Sequence, residues 1–136
     1  MDKPIPHATA ETQPFWEGCR RGELLYQRCR ACGHAQFYPR TLCTACLGSE
    51  LEWLRSGGRG TVHTFTVVMR APSEAFKADV PYVLALVDLA EGFRMMLNVR
   101  GADPDWEPDS LRIGQPVRIV FEERGGQMLP QAEVEG

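Results

Sequence analysis

The sequence of 136 residues lacks the features that mark membrane-spanning and secreted proteins. It contains no run of about 18 consecutive apolar residues, so no transmembrane helix is expected. The first segment, MDKPIPHATAETQPFWEG, holds no apolar stretch of the kind that forms the core of a signal peptide. Five cysteines in such a chain are typical of a reducing compartment. We therefore expect a cytoplasmic protein that makes no membrane contact.

An excess of basic residues is also missing. The 15 lysine and arginine residues stand against 18 acidic ones, which gives a net charge of −3. Up to Arg55 there are seven basic and six acidic residues, and from Ser56 onward eight basic and twelve acidic. Binding to phosphate backbones depends on a cationic surface. The composition therefore argues against nucleic acid as a partner.

Catalytic motifs are absent as well. The chain has no GxSxG, HExxH, P-loop or GxGxxG sequence. Its three histidines are scattered, and no spacing pairs them with an acid or a thiol: His7, His34 and His63. Cys19 is an alternative nucleophile, but Phe15 and Trp16 share its helical face, which favours a packed thiol over a reactive one. We predict no catalytic residues.

What the sequence does contain begins with a short helix. Thr12 suits the N-cap, Pro14 fits the first turn and Gly22 offers a stop. The composition, 43% apolar and 24% charged, is that of a globular protein, with room for one compact domain or two small modules. We place a loose N-terminal arm at residues 1–11, the helix and a metal ribbon at 12–55, and a barrel at 56–136.

Four cysteines form the most specific motif, Cys29-x2-Cys32 followed by Cys43-x2-Cys46. Two such knuckles bring four thiolates onto one tetrahedral ion, and Zn²⁺ is the expected metal. Four protein ligands leave no position for substrate, so the predicted role is structural. Iron of the rubredoxin type is the minor alternative, and two disulfides would need an oxidising compartment.

After the SGGRG segment the apolar period becomes two, which predicts β-strands. In Thr61–Met69 the alternation sets Val62, Thr64, Thr66 and Val68 against His63, Phe65, Val67 and Met69. Tyr82–Leu89 is apolar on both faces, which indicates a strand buried on both sides. Further alternation is found at 93–99 and 117–122, and RGGQ turns the chain into a last strand. This pattern predicts an all-β fold: a five-stranded OB-fold barrel preceded by the short helix and the four-cysteine zinc ribbon.

One face of the barrel offers an alternative function. Arg94 and Arg100 flank Met96 on one strand face, and bases of a single strand would stack on Phe65 or Tyr82. The acidic total favours a solvated barrel face instead. A single-stranded nucleic-acid module therefore stands as an alternative hypothesis.

The combined order of these segments resembles a known family. The stretch FWEGCRRGELLYQRCRACGHAQFYPRTLCTACLG is similar to the N-terminal helix and zinc ribbon of the proteins called domain of unknown function 35. The segments GRGTVHTFTVVMRAP, VPYVLALVDLAEGFRMMLNV and RIGQPVRIVFEE resemble their OB-fold barrel. The resemblance runs from about Phe15 to Glu123. The sequence departs from the family's pattern at two positions. Cys19 stands where an apolar residue is more usual. Leu47 precedes Gly48 in the second knuckle, which we expect to alter one N–H to sulfur hydrogen bond.

The resemblance implies a function. Members of this family are commonly non-catalytic partners of thiolases or thiolase-like aldolases, where they help to form or shield the acyl-CoA site. Others accompany MaoC-type enoyl-CoA hydratases. The family's metal role carries over to the four knuckle cysteines. For contact with a CoA thioester at the shared site, or with the partner, the resemblance implies only the loop between the first two barrel strands, with these residues: Arg70, Phe76, Lys77 and Tyr82.

Overall fold

The computed structural model describes residues 3–135, which form one helix, eight strands and two short 3-10 turns. The regular elements are α1 (Gln13–Arg20), β1 (Leu25–Cys29), β2 (Ala35–Gln36), β3 (Leu51–Arg55), β4 (Arg59–Val68), β5 (Tyr82–Leu89), β6 (Arg94–Arg100), β7 (Pro116–Arg124) and β8 (Gln127–Val134).

Helix α1 lies where the sequence predicts it. Thr12 is the N-cap residue, and its hydroxyl bonds to Thr9 rather than to the helix. Gly22 ends the helix at a φ of +73°, a left-handed conformation that glycine adopts without steric cost. The buried face carries Phe15 and Cys19. With eight residues α1 is far too short to cross a bilayer, and no other helix in residues 3–135 has the length and apolarity to do so.

The ribbon is a three-stranded antiparallel sheet in the order β2-β1-β3. Strand β1 pairs along its whole length with β3, from Leu25 opposite Arg55 to Cys29 opposite Leu51. Its other edge pairs with β2 over two residues only. The first knuckle, residues 29–34, connects β1 to β2, and the second, residues 43–48, lies in the connection between β2 and β3.

The second sheet is a closed five-stranded barrel in the order β4-β5-β6-β8-β7. Pairing of β4 with β7, at Gly60 opposite Val117, closes it. Strands β6 and β8 are parallel and pair only at Val99–Ala132 and Arg100–Glu133. The preceding residues of the two strands are therefore separated from each other. The predicted fold class, a helix and four-cysteine ribbon followed by an OB-fold barrel, is confirmed.

The face assignment predicted for the first barrel strand is wrong beyond His63. A β-bulge at this residue shifts the register between Val62 and Thr64. Val62 faces the core, but after the bulge Phe65 and Val67 face inward, and Thr64 and Thr66 turn outward. The extra residue reverses the alternation, which a strict period of two cannot anticipate.

The prediction that β5 is buried on both sides is also wrong. Val83, Ala85 and Val87 are at most 2% exposed, whereas the alternate residues Leu84 and Leu86 are only half-buried. A barrel of this size fills its interior from one face of each strand. The opposite face of β5 is only partly covered, and Phe76 lies beside Tyr82 at one end of it.

The ribbon and the barrel share one apolar core. The ring of Tyr26 on β1 stacks on Phe93 beside β6 at a centroid distance of 4.7 Å, and Phe37 stacks on the same ring at 6.5 Å. The connecting segment is held in place, because Ser56 Oγ and the Gly57 N–H donate to the carboxylate of Glu91 at 2.7 and 2.8 Å. The glycine-rich segment therefore joins two regions in a defined arrangement.

Candidate functional site

The four knuckle cysteines converge on one point. All four Sγ atoms lie within 4.8 Å of one another. The Sγ atoms of Cys29 and Cys46 are 3.7 Å apart, and those of Cys32 and Cys43 are 3.6 Å apart. Four thiolates bound at about 2.3 Å to a tetrahedral ion are separated by about 3.8 Å. The observed spacing therefore fits a closed four-sulfur metal site, and the donor set supports a structural metal.

The two knuckles have the same backbone hydrogen bonds. The Cys29 N–H donates to the His34 carbonyl at 2.9 Å and the Gly33 N–H to the Cys29 carbonyl at 2.8 Å. In the second knuckle the equivalent bonds join Cys43 to Gly48 at 2.8 Å and Leu47 to Cys43 at 2.9 Å. Leu47 therefore occupies the position that Gly33 occupies in the first knuckle.

Backbone N–H groups also point at the sulfurs. The Ala45 N–H donates to Cys43 Sγ and the Gly48 N–H to Cys46 Sγ, both at 3.4 Å. A Cβ on Gly48 would lie 3.2 Å from the Cys46 sulfur, so glycine fits this position best. Leu47 therefore does not remove the N–H to sulfur bond of the second knuckle.

The surroundings of the cluster shift the pKa values of two of its thiols in opposite directions. Backbone N–H donation, chiefly from Cys46 and also from Ala45, lowers the pKa of Cys43 to about 7. The His34 N–H lowers the pKa of Cys32, but partial desolvation and the three neighbouring sulfurs outweigh it and raise that pKa to about 12. Four adjacent sulfurs cannot all ionise without a compensating cation, which is what a bound metal supplies.

Two buried glutamines that the sequence analysis missed hold the second knuckle in place. Gln27 exchanges hydrogen bonds with the backbone of Arg40, each at 2.9 Å. Gln36 Nε2 donates to Gln27 Oε1 at 2.9 Å, and its own Oε1 accepts from the Thr44 N–H at 3.0 Å. Polar residues on short strands suggest exposure, so no pattern in the sequence marks them.

Cys19, His34 and His63 do not belong to the sulfur cluster. Cys19 is 0% exposed, and burial raises the pKa of its thiol to about 12, which leaves it neutral and inaccessible. His34 Nε2 lies 3.1 Å from Thr44 Oγ1 and links the two knuckles. His63 lies 3.5 Å from Asp88, a pairing that the sequence spacing did not suggest. Arg94 already binds that carboxylate at 2.6 Å, and its hydrogen bond lowers the pKa of Asp88.

A cavity of about 740 Å³ lies where β6 and β8 separate. Helix α1 and the preceding arm form one wall, the ribbon contributes Phe37 and Tyr38, and the barrel contributes Met96 and Leu129. No sequence pattern predicted this cavity, because segments far apart in the chain bound it.

A smaller cavity of about 240 Å³ adjoins the first, and both are lined by Asn98, Arg124 and Gln131. Two of the four predicted acyl-CoA contacts, Phe76 and Tyr82, line it with their ring centroids 6.3 Å apart. The other two lie elsewhere: Arg70 is exposed in the loop, and Lys77 forms an ion pair with Glu74 at 2.5 Å.

The strand face considered for nucleic acid has no free basic stripe. Arg94 pairs with Asp88 at 2.6 Å and Arg100 with Glu133 at 3.6 Å, while Met96 between them is 68% exposed. Phe65, offered as a stacking platform, faces the barrel interior opposite Ala85. The two cations are therefore paired and Phe65 is turned inward, so this face lacks the free charges and the Phe65 platform that the hypothesis needs.

Two protein-family models match the chain. The model described as the rubredoxin-like zinc ribbon domain of ChsH2 matches residues 16–52. The model of the C-terminal OB-fold domain of ChsH2 matches residues 53–122.

Curated relatives have names of scaffold and enzyme-subunit proteins. A DUF35 domain-containing scaffold protein of Methanothermobacter thermautotrophicus is 35% identical over 82% of this chain and 81% of its own length. The 3-oxo-4,17-pregnadiene-20-carboxyl-CoA hydratase alpha subunit of Mycobacterium tuberculosis is 38% identical over 85% of this chain, which spans 35% of that protein. The benzoylsuccinyl-CoA thiolase subunit BbsA of Geobacter metallireducens is 29% identical over 69% of this chain and 58% of its own.

Among solved structures, a chain of the Ltp2-ChsH2(DUF35) aldolase superposes with a TM-score of 0.82 at 30% identity, covering 96% of this chain and 98% of that one. The family models and the solved structure agree with the ribbon and barrel described above. The chain belongs to the DUF35 family, with a rubredoxin-like zinc ribbon and an OB-fold domain of the ChsH2 type.

Proposed function

We propose that this chain is a non-catalytic accessory subunit that binds a thiolase-type acyl-CoA enzyme, either a thiolase or a thiolase-like aldolase. In that complex it helps to form or shield the acyl-CoA site. The observation that carries the proposal is the likeness, over nearly the whole of both chains, to the ChsH2(DUF35) part of an aldolase complex. The name of the related thiolase subunit supports the same class of partner.

The chemistry of this chain's own side chains supports a non-catalytic role. Cys19 is buried and neutral, and the knuckle cysteines are needed for the metal. His63 and Asp88 lie on the open outer surface, where Arg94 competes for the carboxylate. A general base works by holding a proton acceptor free and oriented toward a bound substrate. This pair does neither.

The proposed metal is Zn²⁺, held by Cys29, Cys32, Cys43 and Cys46 and serving the fold of the ribbon. Zinc supplies a rigid tetrahedral crosslink with no redox chemistry. Iron of the rubredoxin type is the minor alternative, since it takes the same four sulfurs.

For the CoA thioester at the shared site we propose contact through Phe76 and Tyr82, which line the smaller cavity. Three cations border that cavity and each is paired, Lys3 with Asp79 at 2.6 Å, Arg124 with Glu122 at 3.3 Å and Arg100 with Glu133 at 3.6 Å. We assign a CoA phosphate to the loop cations Arg70 and Lys77, or to the partner enzyme, because the Lys77–Glu74 pair is highly exposed and such pairs are weak.

A MaoC-type enoyl-CoA hydratase is the second candidate partner. It is favoured by the 38% identity to a named hydratase alpha subunit, of which this chain spans about a third. The two candidates differ in the enzyme bound, and one experiment separates them.

That experiment is affinity purification of the tagged chain from its own host at moderate salt, followed by mass spectrometry and assay of the co-purified enzyme. A thiolase or thiolase-like aldolase in near-stoichiometric amount is the expected result. A hydratase in the same amount would replace the first candidate by the second. Recovery of nucleic acid, or of no acyl-CoA enzyme, would refute the proposed function.

A further inference from the structure

Gln131 on β8 is a buried glutamine whose side chain has no hydrogen-bond partner among residues 3–135. It is 7% exposed, and the three other buried glutamines each donate a side-chain hydrogen bond. Every side-chain polar atom that is fully enclosed within this part of the chain does have a partner. The amide atoms of Gln131 therefore reach the surface of the two cavities that it lines. Burying a carboxamide without a partner costs free energy, so this group points to a ligand from outside the chain.

A second carboxamide lies opposite Gln131. Strands β6 and β8 pair in parallel at Val99 and Ala132. The residues that precede them, Asn98 and Gln131, therefore lie opposite each other where the strands separate. Asn98 Nδ2 donates a long bond of 3.5 Å to the Val83 carbonyl, and its Oδ1 accepts none within residues 3–135. Both side chains line the larger and the smaller cavity, and we call them the carboxamide pair.

The remaining wall of the larger cavity is mainly apolar. Helix α1 and the ribbon contribute aromatic rings, and the barrel contributes aliphatic and thioether side chains: Phe15, Trp16, Phe37, Tyr38, Met96 and Leu129. The volume of about 740 Å³ lies within the range of about 300–1,000 Å³ that is usual for small-molecule pockets. A concave apolar wall with a few convergent polar groups is the arrangement expected of a ligand site.

The charges that line the larger cavity balance one another. Arg124 lies beside the carboxamide pair and is matched by Glu122 at 3.3 Å. The exposed His7 and Glu11 of the N-terminal arm add one cation, when His7 is protonated, and one anion. An anionic ligand would give up its water here without meeting an unmatched cation, so the cavity favours an uncharged ligand.

We propose that the larger cavity and the carboxamide pair form a binding site for an uncharged small molecule with an apolar body and one amide group. The apolar body lies against the aromatic wall. The amide of the ligand exchanges hydrogen bonds with the carboxamide pair, since each side chain offers both a donor and an acceptor. The site lies within this one chain, so the inference does not rest on the proposed partner enzyme.

The test is calorimetric titration of the purified, metal-loaded full chain with octanamide and with octanoate, which share a chain length and differ in charge. Octanamide is expected to bind at least about tenfold more tightly near neutral pH, where the carboxylic acid is ionised. Gln131→Met keeps the length of the side chain and removes its hydrogen bonds. This variant is expected to weaken octanamide binding about tenfold.

Two controls separate recognition from folding. Gln127 lies on the same strand and is 8% exposed, but it donates to the Met128 carbonyl at 3.3 Å and lines neither cavity. Gln127→Met is expected to leave octanamide binding within about twofold of the wild type. In the absence of ligand, Gln131→Met is expected to keep or raise the melting temperature, because the carboxamide that it removes has no partner among residues 3–135.

Several results would overturn the inference. If neither compound binds, or octanoate binds as tightly as octanamide, the cavity does not select an uncharged amide. If Gln131→Met binds octanamide like the wild type, or Gln127→Met weakens it equally, the carboxamide pair is not the point of recognition. A lower melting temperature of ligand-free Gln131→Met would give Gln131 a structural role instead. If coenzyme A alone displaces octanamide, the cavity belongs to the CoA thioester site, and the proposed function stands without a separate ligand.

Discussion

The ribbon and the barrel are both built from short strands, but different interactions hold them together. The barrel closes a ring of hydrogen-bonded strands around buried aliphatic side chains, among them Val62, Val83, Val87 and Val117. The ribbon, residues 25–55, buries Tyr26 against the barrel, and its other buried residues are two cysteines, two glutamines and Pro39. A module this small cannot bury enough apolar surface by itself, so a metal and polar crosslinks replace the missing core.

This difference predicts that substitutions in the ribbon and in the barrel have separate effects. Loss of a sulfur ligand should disorder the ribbon and spare the barrel. A cavity in the aliphatic core should lower the stability of the barrel and leave the metal in place. The following variants test this division, starting with the largest expected effect.

Replacing Cys43 by serine is expected to abolish metal binding. Cys43 is 0% exposed and lies among all three other sulfurs, and a serine hydroxyl is not a ligand that structural zinc sites use. Metal binding in such sites is worth about 10–16 kcal/mol and is coupled to folding. Elemental analysis should find the metal lost from the variant, and co-purification of the partner enzyme should fail. Cys19→Ser serves as the matched control and should keep its metal. Full metal content in Cys43→Ser would refute the ligand assignment.

Leu111→Ala is expected to damage the barrel instead. Leu111 is 1% exposed in the apolar core, and truncating a buried leucine costs about 2–5 kcal/mol. Denaturant unfolding should show this loss while the metal content stays at the wild-type level. Ile113→Ala, at a position 70% exposed, should change the unfolding free energy by less than about 0.5 kcal/mol. Metal loss from Leu111→Ala in the absence of denaturant would show that metal binding in the ribbon depends on the core of the barrel, contrary to this prediction.

Gln36→Ala is expected to loosen the second knuckle without touching a sulfur. The Thr44 N–H would lose its acceptor, at a cost of about 1–3 kcal/mol, and Gln27 Oε1 would keep only the Arg40 N–H. The rate of metal transfer to a chromogenic chelator should rise, and denaturation of the barrel should change little. The control is Gln13→Ala, an exposed glutamine on α1. An unchanged transfer rate would show that the glutamine network does not hold the metal loop.

The smallest effect concerns the acid stability of the barrel. Glu133, whose side chain is 12% exposed, accepts a hydrogen bond from Arg118 at 2.5 Å, and this bond lowers the pKa of the carboxyl below its ordinary value of 4.5. A lowered folded-state pKa stabilises the fold above the ordinary value, and that contribution is lost as the pH falls through the folded-state pKa.

In thermal unfolding from pH 7 down to about 3, the wild type should therefore lose this contribution below about pH 4.5. Glu133→Gln should be less stable at neutral pH and should show a flatter profile, whereas the exposed Glu123→Gln should follow the wild type. Parallel profiles for the wild type and Glu133→Gln would contradict the assignment.

The sequence predicted the local features of the molecule. The spacing of the four cysteines identified the sulfur cluster because each knuckle is a contiguous turn. A continuous apolar segment between turns predicted β5 with its observed bounds, Tyr82–Leu89. Helix α1 was predicted from residues next to one another in the chain.

Features that depend on contacts between distant segments were not predicted. The bulge at His63 arises from the pairing of β4 with β5, and it reversed the predicted faces. An apolar residue on both faces of Tyr82–Leu89 predicted a strand covered on both sides, although Leu84 and Leu86 are only half-buried. The bonds of Gln27 and Gln36 to residues 40–44 join separate parts of the ribbon, so no local pattern contained them.

Hydrogen exchange with and without metal tests the central claim most directly. The metal-loaded chain is compared with the same chain after chelation, and amide exchange is read separately for residues 24–55 and 59–134. We predict that chelation strongly accelerates exchange in the ribbon while the barrel strands stay protected, apart from the amides around Phe93 that lose the Tyr26 ring. Equal acceleration in both regions, or none in the ribbon, would contradict the account.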